Sequence, residues 1–447
     1  MTKSPGTYRI AIVGGGSTTF VPPLLKLFID SVPLRGSTIV LMDVDAQRLE
    51  LMEAVAKRLV AQAGVDLQIE STVNRREALT GADFVIASIA VGGFDMYECD
   101  LEIPARYGIF TLGGETVGPG GLMNACRHVP VLVDICREME EVAPDGWLFS
   151  YTNPDTCVMM AMERVSAVEK VALCTCSSIP RHADKLARET GLPAEDLVVP
   201  APAGGLNHCP AILELRLKDG RDAFPLALPR IKKPLVKHIL GRYHVLPYCA
   251  GHWTEFFPAH TRLAEPYQGH VQGLELMYGR HVRDMAEYRG RVREWERAAR
   301  RWLEDREGQE KVFGSRLTEG EGIEVVDVIE ALVENRNEVH AVVTTNRGAI
   351  PNLPFNAVVE VSAVVGGYGI RPVHVGPLPE PIAANLRQHI DVFELVVEAA
   401  LTGDLKIALD ALLLDAQTSA VLTPPEVKRM LDEMIEAEAE FLPQFVG

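Results

Sequence analysis

Short apolar runs alternate with longer amphipathic segments along the first half of the chain. The runs RIAIV, STIVLMD and DFVIASIA have the length and composition of buried strands, whereas the segments near 20–30 and 45–63 have the period of a helix. The alternation continues through a helical 121–142, the run WLFSYT, a helical 155–165 and the short VALCTC. Strands that alternate with helices in this way predict an α/β fold with a doubly wound parallel sheet.

The pattern changes near residue 200. Residues 267–312 are dense in alternating charges at helical spacing, which is typical of a solvated helix or a helix packed on a neighbour. The remainder mixes the strand-like runs HAVVTT and AVVEVSA with amphipathic helices near 379–414 and 424–440. We therefore predict two domains, a parallel-sheet domain over 1–200 and an α+β domain over 201–447.

The first strand-like run leads directly into a glycine-rich loop and then a helix, which is the context that the dinucleotide fingerprint requires. The loop residues that we predict to bind a cofactor are Gly14, Gly15, Gly16, Ser17 and Thr18. Glycines let the backbone approach a pyrophosphate, and a helix N-terminus offers N–H donors. The alternative interpretation is a glycine turn that binds nothing.

Asp43 ends the second strand-like run, where a carboxylate can accept hydrogen bonds from an adenosine ribose and repel a 2′-phosphate. The predicted cofactor is therefore NAD and not NADP. The domain over 1–200 is accordingly predicted to be a Rossmann-like NAD-binding domain.

Composition excludes some partners. The formal net charge of -17 would repel phosphate backbones and anionic membrane surfaces, so we expect neither nucleic acid nor membrane as a partner. The eight cysteines have irregular spacings without a C-x-x-C pair, which favours buried reduced thiols over a structural zinc site. No apolar leader or spanning run stands out, and the predicted location is cytoplasmic.

Polar residues follow several apolar runs, and ligands of an open parallel sheet gather beyond the carboxyl ends of its strands. The clusters are Tyr151-Thr152-Asn153-Pro154, Cys174-Thr175-Cys176 and Gly205-Leu206-Asn207-His208. A thiolate from Cys174 and an imidazole from His208 could hold a divalent ion and leave positions open for substrate oxygens. A buried cysteine and a core histidine are the alternative, and spacing alone does not decide between them.

At these residues the chain resembles glycoside hydrolase family 4, whose members are NAD-dependent and usually manganese-dependent glycosidases. The resemblance covers nearly the whole length. It rests on IAIVGGGST, GGETVGPGG (113–121), YTNP, the LC at 173–174, GLNH, NRGAIPNLP (346–354) and ALTGD. It implies a lactate or malate dehydrogenase-like architecture in which 201–447 serves substrate and metal binding and oligomerisation, as a dimer or tetramer.

The resemblance also implies roles for individual residues. Cys174 and His208 match the metal ligands, for which manganese is the expected ion, and Glu115 matches an active-site acid. The segment 248–255 resembles the stretch that carries the proton-abstracting base, a tyrosine or aspartate in different members. His252 falls at that position, and Tyr248 stands nearby as another candidate. The implied substrate contacts are Asn153, Asn207 and Glu255, and for Asn153 a contact on the nicotinamide side is the alternative.

One position departs from the family pattern. Phospho-sugar members carry an aspartate after the metal cysteine, whereas this chain has Thr175, which leaves the catalytic acid open. The missing aspartate argues against a 6-phosphoglycoside substrate. The GH-x-x-E form at 251–255 resembles members that act on unphosphorylated α-galactosides or uronides. The predicted substrate is therefore an α-linked, unphosphorylated glycoside, with a uronic acid as one option.

The implied reaction is glycoside hydrolysis by oxidation at C3 of the sugar, removal of the C2 proton, elimination, addition of water and re-reduction, with NAD ending as it began. Its main competitor is an NAD-dependent 2-hydroxy acid dehydrogenase of the lactate or malate type, which would accumulate NADH. A non-catalytic dinucleotide sensor is the third interpretation, because fold analogy alone does not decide function.

Overall fold

The computed structural model of the protein describes residues 7–269, 271, 274–304 and 322–445. Residues 270, 272, 273 and 305–312 of the predicted charged helix lie outside this part of the chain. Of its described residues, only Met285–Glu304 form an α-helix, and the prediction is wrong for the residues before Met285, which include the short strands Glu275–Leu276 and Arg280–His281. Among the helices described, none has both the length and the apolar character needed to cross a bilayer.

The described strands, in chain order, are β1 (Arg9–Val13), β2 (Thr38–Met42), β3 (Gln68–Thr72), β4 (Phe84–Ala87), β5 (Trp147–Ser150), β6 (Glu169–Ala172), β7 (Ala203–Leu206), β8 (Cys209–Ile212), β9 (Leu246–Pro247), β10 (Glu275–Leu276), β11 (Arg280–His281), β12 (Glu338–Thr345), β13 (Val358–Gly366) and β14 (Gly369–Pro372).

The described α-helices are α1 (Val21–Asp30), α2 (Ala46–Ala63), α3 (Arg75–Leu79), α4 (Gly93–Arg106), α5 (Gly118–Val142), α6 (Asp155–Val165), α7 (Ala183–Thr190), α8 (Phe224–Ala227), α9 (Pro234–Tyr243), α10 (Trp253–Phe256), α11 (Met285–Glu304), α12 (Val325–Val333), α13 (Glu380–Thr402), α14 (Leu405–Leu414), α15 (Ala416–Ser419) and α16 (Pro424–Ala437).

Six parallel strands form the N-terminal part of the sheet, in the order β3-β2-β1-β4-β5-β6. This is the strand order of dinucleotide-binding folds, and the order reverses between β1 and β4. All six carboxyl ends therefore lie along one edge of the sheet. The predicted α/β fold with a Rossmann-like parallel sheet is confirmed.

The same sheet continues beyond β6 with antiparallel strands. Val343 of β12 pairs with Ala172 of β6, and β13, β7, β8 and β9 follow in order, while β14 pairs with β13. The predicted domains at 1–200 and 201–447 thus contribute strands to one sheet of 12 strands among the described residues. Their division into separate domains stays a prediction.

Helices cover both faces of the sheet. Alternate residues of β1 point to opposite faces, so that Ala11 packs in the core with α5, α6 and α13, and Ile12 packs in the core with α1, α2 and α12. Strands buried on both faces are apolar along their whole length, which explains the continuous run RIAIV.

The elements also differ from the sequence pattern at Gly403 and at β3. The predicted helix near 379–414 is two helices, because Gly403 adopts a left-handed φ of 72° and Asp404 then caps α14 by accepting the N–H of Lys406 at 2.8 Å. The strand β3 has the polar sequence QIEST at the sheet edge, and its half-exposed pattern gives no apolar run to detect.

A buried ion cluster joins α4, α5 and the chain just after α16. The guanidinium of Arg127 donates to Asp100 at 2.6 Å and also to Glu438, and all three side chains are at most 2% exposed. Because α4 and α5 flank the loop over 107–117, this cluster also fixes the ends of that loop.

We expect Arg127→Met to lower the free energy of unfolding by about 3–5 kcal/mol, because it leaves two carboxyl groups buried without their cation. Urea unfolding followed by tryptophan fluorescence measures the change. The control is Arg76→Met, which removes an exposed partner of Glu141 and should cost at most about 1 kcal/mol. Equal losses in the two variants would show that the Arg127 cluster does not stabilise the fold.

Candidate active site

The glycine-rich loop lies where the strand order reverses. Gly14 has a φ of +96°, and a Cβ there would stand 2.0 Å from the backbone oxygen of Ser88, so no other residue fits without a backbone shift. The N–H groups of Gly14 and Gly15 donate to the Met42 carbonyl at 2.9 and 2.7 Å. These bonds hold the loop against the end of β2.

The other predicted cofactor residues surround this loop. The Asp43 carboxylate accepts the Gly16 N–H at 2.9 Å, and the Ser17 hydroxyl accepts the Phe20 N–H at 3.1 Å. Thr18 is buried. The helix α1 begins at Val21 and continues with two prolines, which have no N–H. Its first turn therefore offers fewer donors than a typical helix N-terminus, and the loop backbone must supply most of them.

The two predicted metal ligands come together with a third side chain. Cys174 follows β6, and His208 lies in the two-residue turn between β7 and β8 with a φ of 67°. The sulfur atoms of Cys174 and Cys249 and a ring nitrogen of His208 all lie within 4.8 Å of one another, and all three residues are buried. Cys249 belongs to the segment 248–255, for which the sequence suggested a base and not a ligand.

A hydroxyl supports the His208 ring. The Nδ1 atom of His208 lies 2.7 Å from the Thr116 hydroxyl, which leaves Nε2 as the nitrogen available to an ion. Metal-binding histidines commonly use their second nitrogen for such a hydrogen bond, which fixes the ring orientation. A left-handed φ in a residue other than glycine also tends to occur at functional sites.

His252 stacks on His208, with ring centroids 4.0 Å apart and an angle of 16° between the planes. Its Nδ1 atom lies 3.2 Å from Glu255, and its Nε2 atom lies 3.8 Å from Glu115. The ligand atoms of Glu115, His208 and His252 also lie within 4.8 Å of one another. The predicted base therefore lies between two carboxylates and beside the predicted metal ligand.

Glu255 has internal partners. Its buried carboxylate accepts the N–H of Gly113, and that of Gly114 at 3.2 Å, in addition to its contact with His252. A Cβ on Gly113 would stand 2.8 Å from Cε1 of His252, so glycine allows this close approach. The observed contacts of Glu255 orient His252 and the loop, and its predicted contact with substrate stays a prediction.

Charges shift the pKa values of this group. Burial alone would raise the pKa of Glu115. The opposite effect of Arg283, at 3.3 Å, and of His252 is larger in sum and lowers this pKa to about 2. Burial lowers the pKa of His252, but Glu255 and Glu115 raise it above its usual value. Without ligands, Glu115 is therefore an ionised acceptor, and the two carboxylates stabilise the protonated form of His252.

A buried glutamate that the sequence interpretation missed lies behind the cysteines. Glu360, in the middle of β13, accepts hydrogen bonds from the Tyr248 hydroxyl at 2.7 Å, the Asn207 amide at 3.1 Å and the Ser177 hydroxyl at 3.1 Å. Burial raises the pKa of Glu360 to about 8, and Cys174 adds to the increase. The sequence did contain a sign of this residue, because a glutamate inside the apolar run AVVEVSA indicates a buried carboxyl group.

A cavity of about 500 Å³ opens beside these groups. Tyr248, Cys249 and His252 line it together with Lys233 and Arg283. The Oδ1 atoms of two predicted substrate contacts, Asn153 and Asn207, are buried and have no hydrogen-bond partner within the part of the chain that the structure describes. Buried polar atoms without partners are uncommon and indicate binding capacity for a ligand, an ion or water.

Family comparisons match nearly the whole chain. Residues 9–190 match the model described as "Family 4 glycosyl hydrolase", and residues 203–418 match "Family 4 glycosyl hydrolase C-terminal domain". The chain belongs to the family 4 glycosyl hydrolases. The predicted family is confirmed, and with it the class of enzyme.

Relatives within family 4 differ in substrate. The "Alpha-galactosidase" of Rhizobium meliloti is 31% identical over 98% of this chain and 90% of its own length. The "Probable 6-phospho-beta-glucosidase" of Bacillus subtilis is also 31% identical, over 100% of this chain and 99% of its own length. Overall identity therefore does not separate phosphorylated from unphosphorylated substrates.

Solved structures share the fold. A 6-phospho-alpha-glucosidase from gut microorganisms, in complex with NAD and Mn2+, is 23% identical with a TM-score of 0.79 and covers 97% of this chain and 99% of its own. The malate dehydrogenase of Picrophilus torridus is 13% identical with a TM-score of 0.54, over 90% of this chain and 99% of its own. The predicted dehydrogenase-like architecture is confirmed.

We expect Glu255→Gln to lower the pKa of His252 by about 1–3 units, because it removes the nearer of two carboxylates while an amide oxygen can still accept the loop N–H groups. Histidine NMR on the metal-free protein, followed over a pH titration, measures this shift. The control Glu141→Gln removes an exposed carboxylate on α5 and should change nothing at His252. Identical His252 titrations in both variants would refute the assigned pairing.

Proposed function

We propose that this family 4 chain hydrolyses an α-linked, unphosphorylated glycoside, with a uronic acid among the candidate sugars, and uses NAD and a divalent metal ion. One observation supports the proposal above the others. The glycine loop and Asp43 lie at the carboxyl edge of the parallel strands, and Cys174 follows β6 at the same edge. The antiparallel turn after β7 brings His208 to Cys174 and to Cys249, which lines the cavity. The candidate cofactor site and the candidate metal site therefore lie along the same edge of the sheet.

The residues fit both groups that family membership implies. Only glycine fits at Gly14, which is what a loop approached closely by a pyrophosphate requires, and Asp43 is the candidate for the adenosine ribose. Cys174 and His208 offer a thiolate and a supported imidazole to the ion. When bound, NAD supplies a reversible hydride acceptor and the ion polarises the resulting ketone, which makes the neighbouring C–H acidic.

We assign removal of the C2 proton to Nε2 of His252. The contact with Glu255 uses Nδ1 and leaves Nε2 for the substrate, while Glu115 and Glu255 stabilise the imidazolium that forms. His252 must first be in its neutral form, and its raised pKa predicts a loss of activity at mildly acidic pH. Tyr248 is the second candidate, although its hydroxyl already donates to Glu360.

Glu115 has a different role in this proposal from the acid that the resemblance implies. A carboxyl group with a pKa of about 2 does not donate a proton near neutral pH, so we assign it to accept hydrogen bonds and to stabilise charge on His252.

The positively charged side chains that line the cavity affect which sugar can bind there. Lys233 and Arg283 line it, with Lys233 paired to Glu189 at 2.8 Å and Arg283 paired to Glu115. A sugar carboxylate could bind to one of these cations by a charge-assisted hydrogen bond. Thr175 stands where phospho-sugar members carry an aspartate, which favours an unphosphorylated sugar.

A panel of nitrophenyl α-galactosides, α-glucuronides, α-galacturonides and 6-phosphoglucosides tests the function, with NAD and Mn2+ under reducing conditions. We expect an unphosphorylated α-glycoside to be the best substrate, with nitrophenol release that requires NAD and no net NADH. Stoichiometric NADH without cleavage would instead identify a dehydrogenase. Hydrolysis that continues after complete removal of NAD would also refute the proposal.

For the base, we expect His252→Ala to lose exchange of the C2 hydrogen with solvent deuterium while it still binds NAD, because no other group is assigned to that proton. NMR of the sugar recovered from deuterated buffer measures the exchange. The control His244→Ala alters an exposed histidine paired with Asp222 and should exchange like the wild type. Exchange at the wild-type rate in His252→Ala would transfer the role to Tyr248.

A further inference from the structure

The metal group contains one more sulfur ligand than family resemblance assigns. We propose that Cys249 is a third protein ligand, so that Cys174, His208 and Cys249 form a set of two thiolates and one imidazole. This inference rests on the metal dependence proposed above. The ligand atoms of the three residues lie within 4.8 Å of one another, which is the spacing expected around one shared ion.

Three separate strand ends supply these side chains. Cys174 follows β6, His208 lies in the turn between β7 and β8, and Cys249 follows β9. The strands β7, β8 and β9 are adjacent in the sheet, so backbone hydrogen bonds determine the separation of His208 and Cys249. A buried cysteine packed as a small apolar residue needs no such arrangement with a supported histidine and a second thiol.

One member of the set reaches a cavity. Cys249 lines the cavity of about 500 Å³, and His252 and Tyr248 line the same cavity. Catalytic sites commonly have three protein ligands and leave a further position to water or substrate, and two cysteines with one histidine are a known combination of this kind. An ion held here would face the cavity that a sugar could occupy.

A second group, Glu115 with His208 and His252, shares one ligand with the first. Its other two members, Glu115 and His252, already form ion pairs with protein side chains. The Glu115 carboxylate is 3.3 Å from Arg283, and Nδ1 of His252 is 3.2 Å from Glu255. A cation at Glu115 would have to compete with the Arg283 guanidinium. The groups that act on the Cys249 thiol are the neighbouring thiols of Cys174 and Cys176 and not a cation, so the geometry favours the cysteine set.

The consequence is a preference among metals. Thiolates are soft ligands, and Co2+ and Zn2+ bind to sites of nitrogen and sulfur more tightly than Mn2+ does. We therefore expect this chain to bind Co2+ and Zn2+ more tightly than Mn2+, with Cys249 responsible for part of the difference.

Titration of the metal-free full-length protein with Co2+ tests the proposal without any assay of activity. Charge-transfer absorbance from thiolate to cobalt increases with the number of sulfur ligands. We expect Cys249→Ser and Cys174→Ser each to lose about half of the wild-type absorbance. Each variant should also bind Co2+ at least roughly tenfold more weakly, because loss of a residue that only supports a ligand already has an effect of that size. Cys176→Ser tests the neighbouring thiol, which lines the same cavity and is hydrogen-bonded to Cys174 and Cys249, and Cys99→Ser, on α4, is the control.

The possible outcomes separate this inference from the proposed function. Wild-type absorbance and affinity in Cys249→Ser, with losses in Cys174→Ser and His208→Ala, would overturn the role of Cys249 and leave the metal site intact. A loss confined to Cys176→Ser would assign the second thiolate to that residue and also overturn the proposal. Failure of the wild-type protein to bind Co2+, Zn2+ or Mn2+ would refute the metal site itself.

Discussion

Backbone hydrogen bonding between parallel strands is the constraint on which the site depends. Because β1, β2, β4, β5 and β6 run in one direction, their carboxyl ends lie along one edge and present the glycine loop, Asp43, Asn153 and Cys174 there. The antiparallel strands that continue the sheet bring the turn with His208 and the chain after β9 to the same group. Residues far apart in sequence are thus brought together by strand pairing, and no single loop holds the site alone.

The second feature of the site is a set of charges that constrain one another. His252 stands between Glu115 and Glu255, and Arg283 in turn contacts Glu115. Glu360 accepts hydrogen bonds from Tyr248 and Asn207 and so fixes the residues that directly precede Cys249 and His208 in the chain. Such buried networks hold rotamers in place before a substrate arrives, which is how a site keeps its reacting groups oriented.

Sequence patterns predicted the parallel sheet because strands buried on both faces are apolar throughout, and they predicted α6 with its observed ends. They missed β3, whose polar sequence gives no apolar run, and the break at Gly403, where a left-handed glycine ends one helix inside a longer amphipathic stretch. The motifs identified Cys174 and His208, but spacing carries no information on whether Cys249 reaches them. The internal contacts of Glu255 and Glu360 likewise depend on tertiary packing.

The central claim is that one sheet edge brings the dinucleotide and the metal ion together, and paramagnetic NMR tests it most directly. Bound Mn2+ broadens nearby resonances strongly, so the nicotinamide protons of bound NAD should broaden more than its adenine protons. That difference should disappear in His208→Ala, which removes a ligand of the ion. Equal broadening of the two ends of NAD in the wild-type protein, or stronger broadening of the adenine end, would contradict the account.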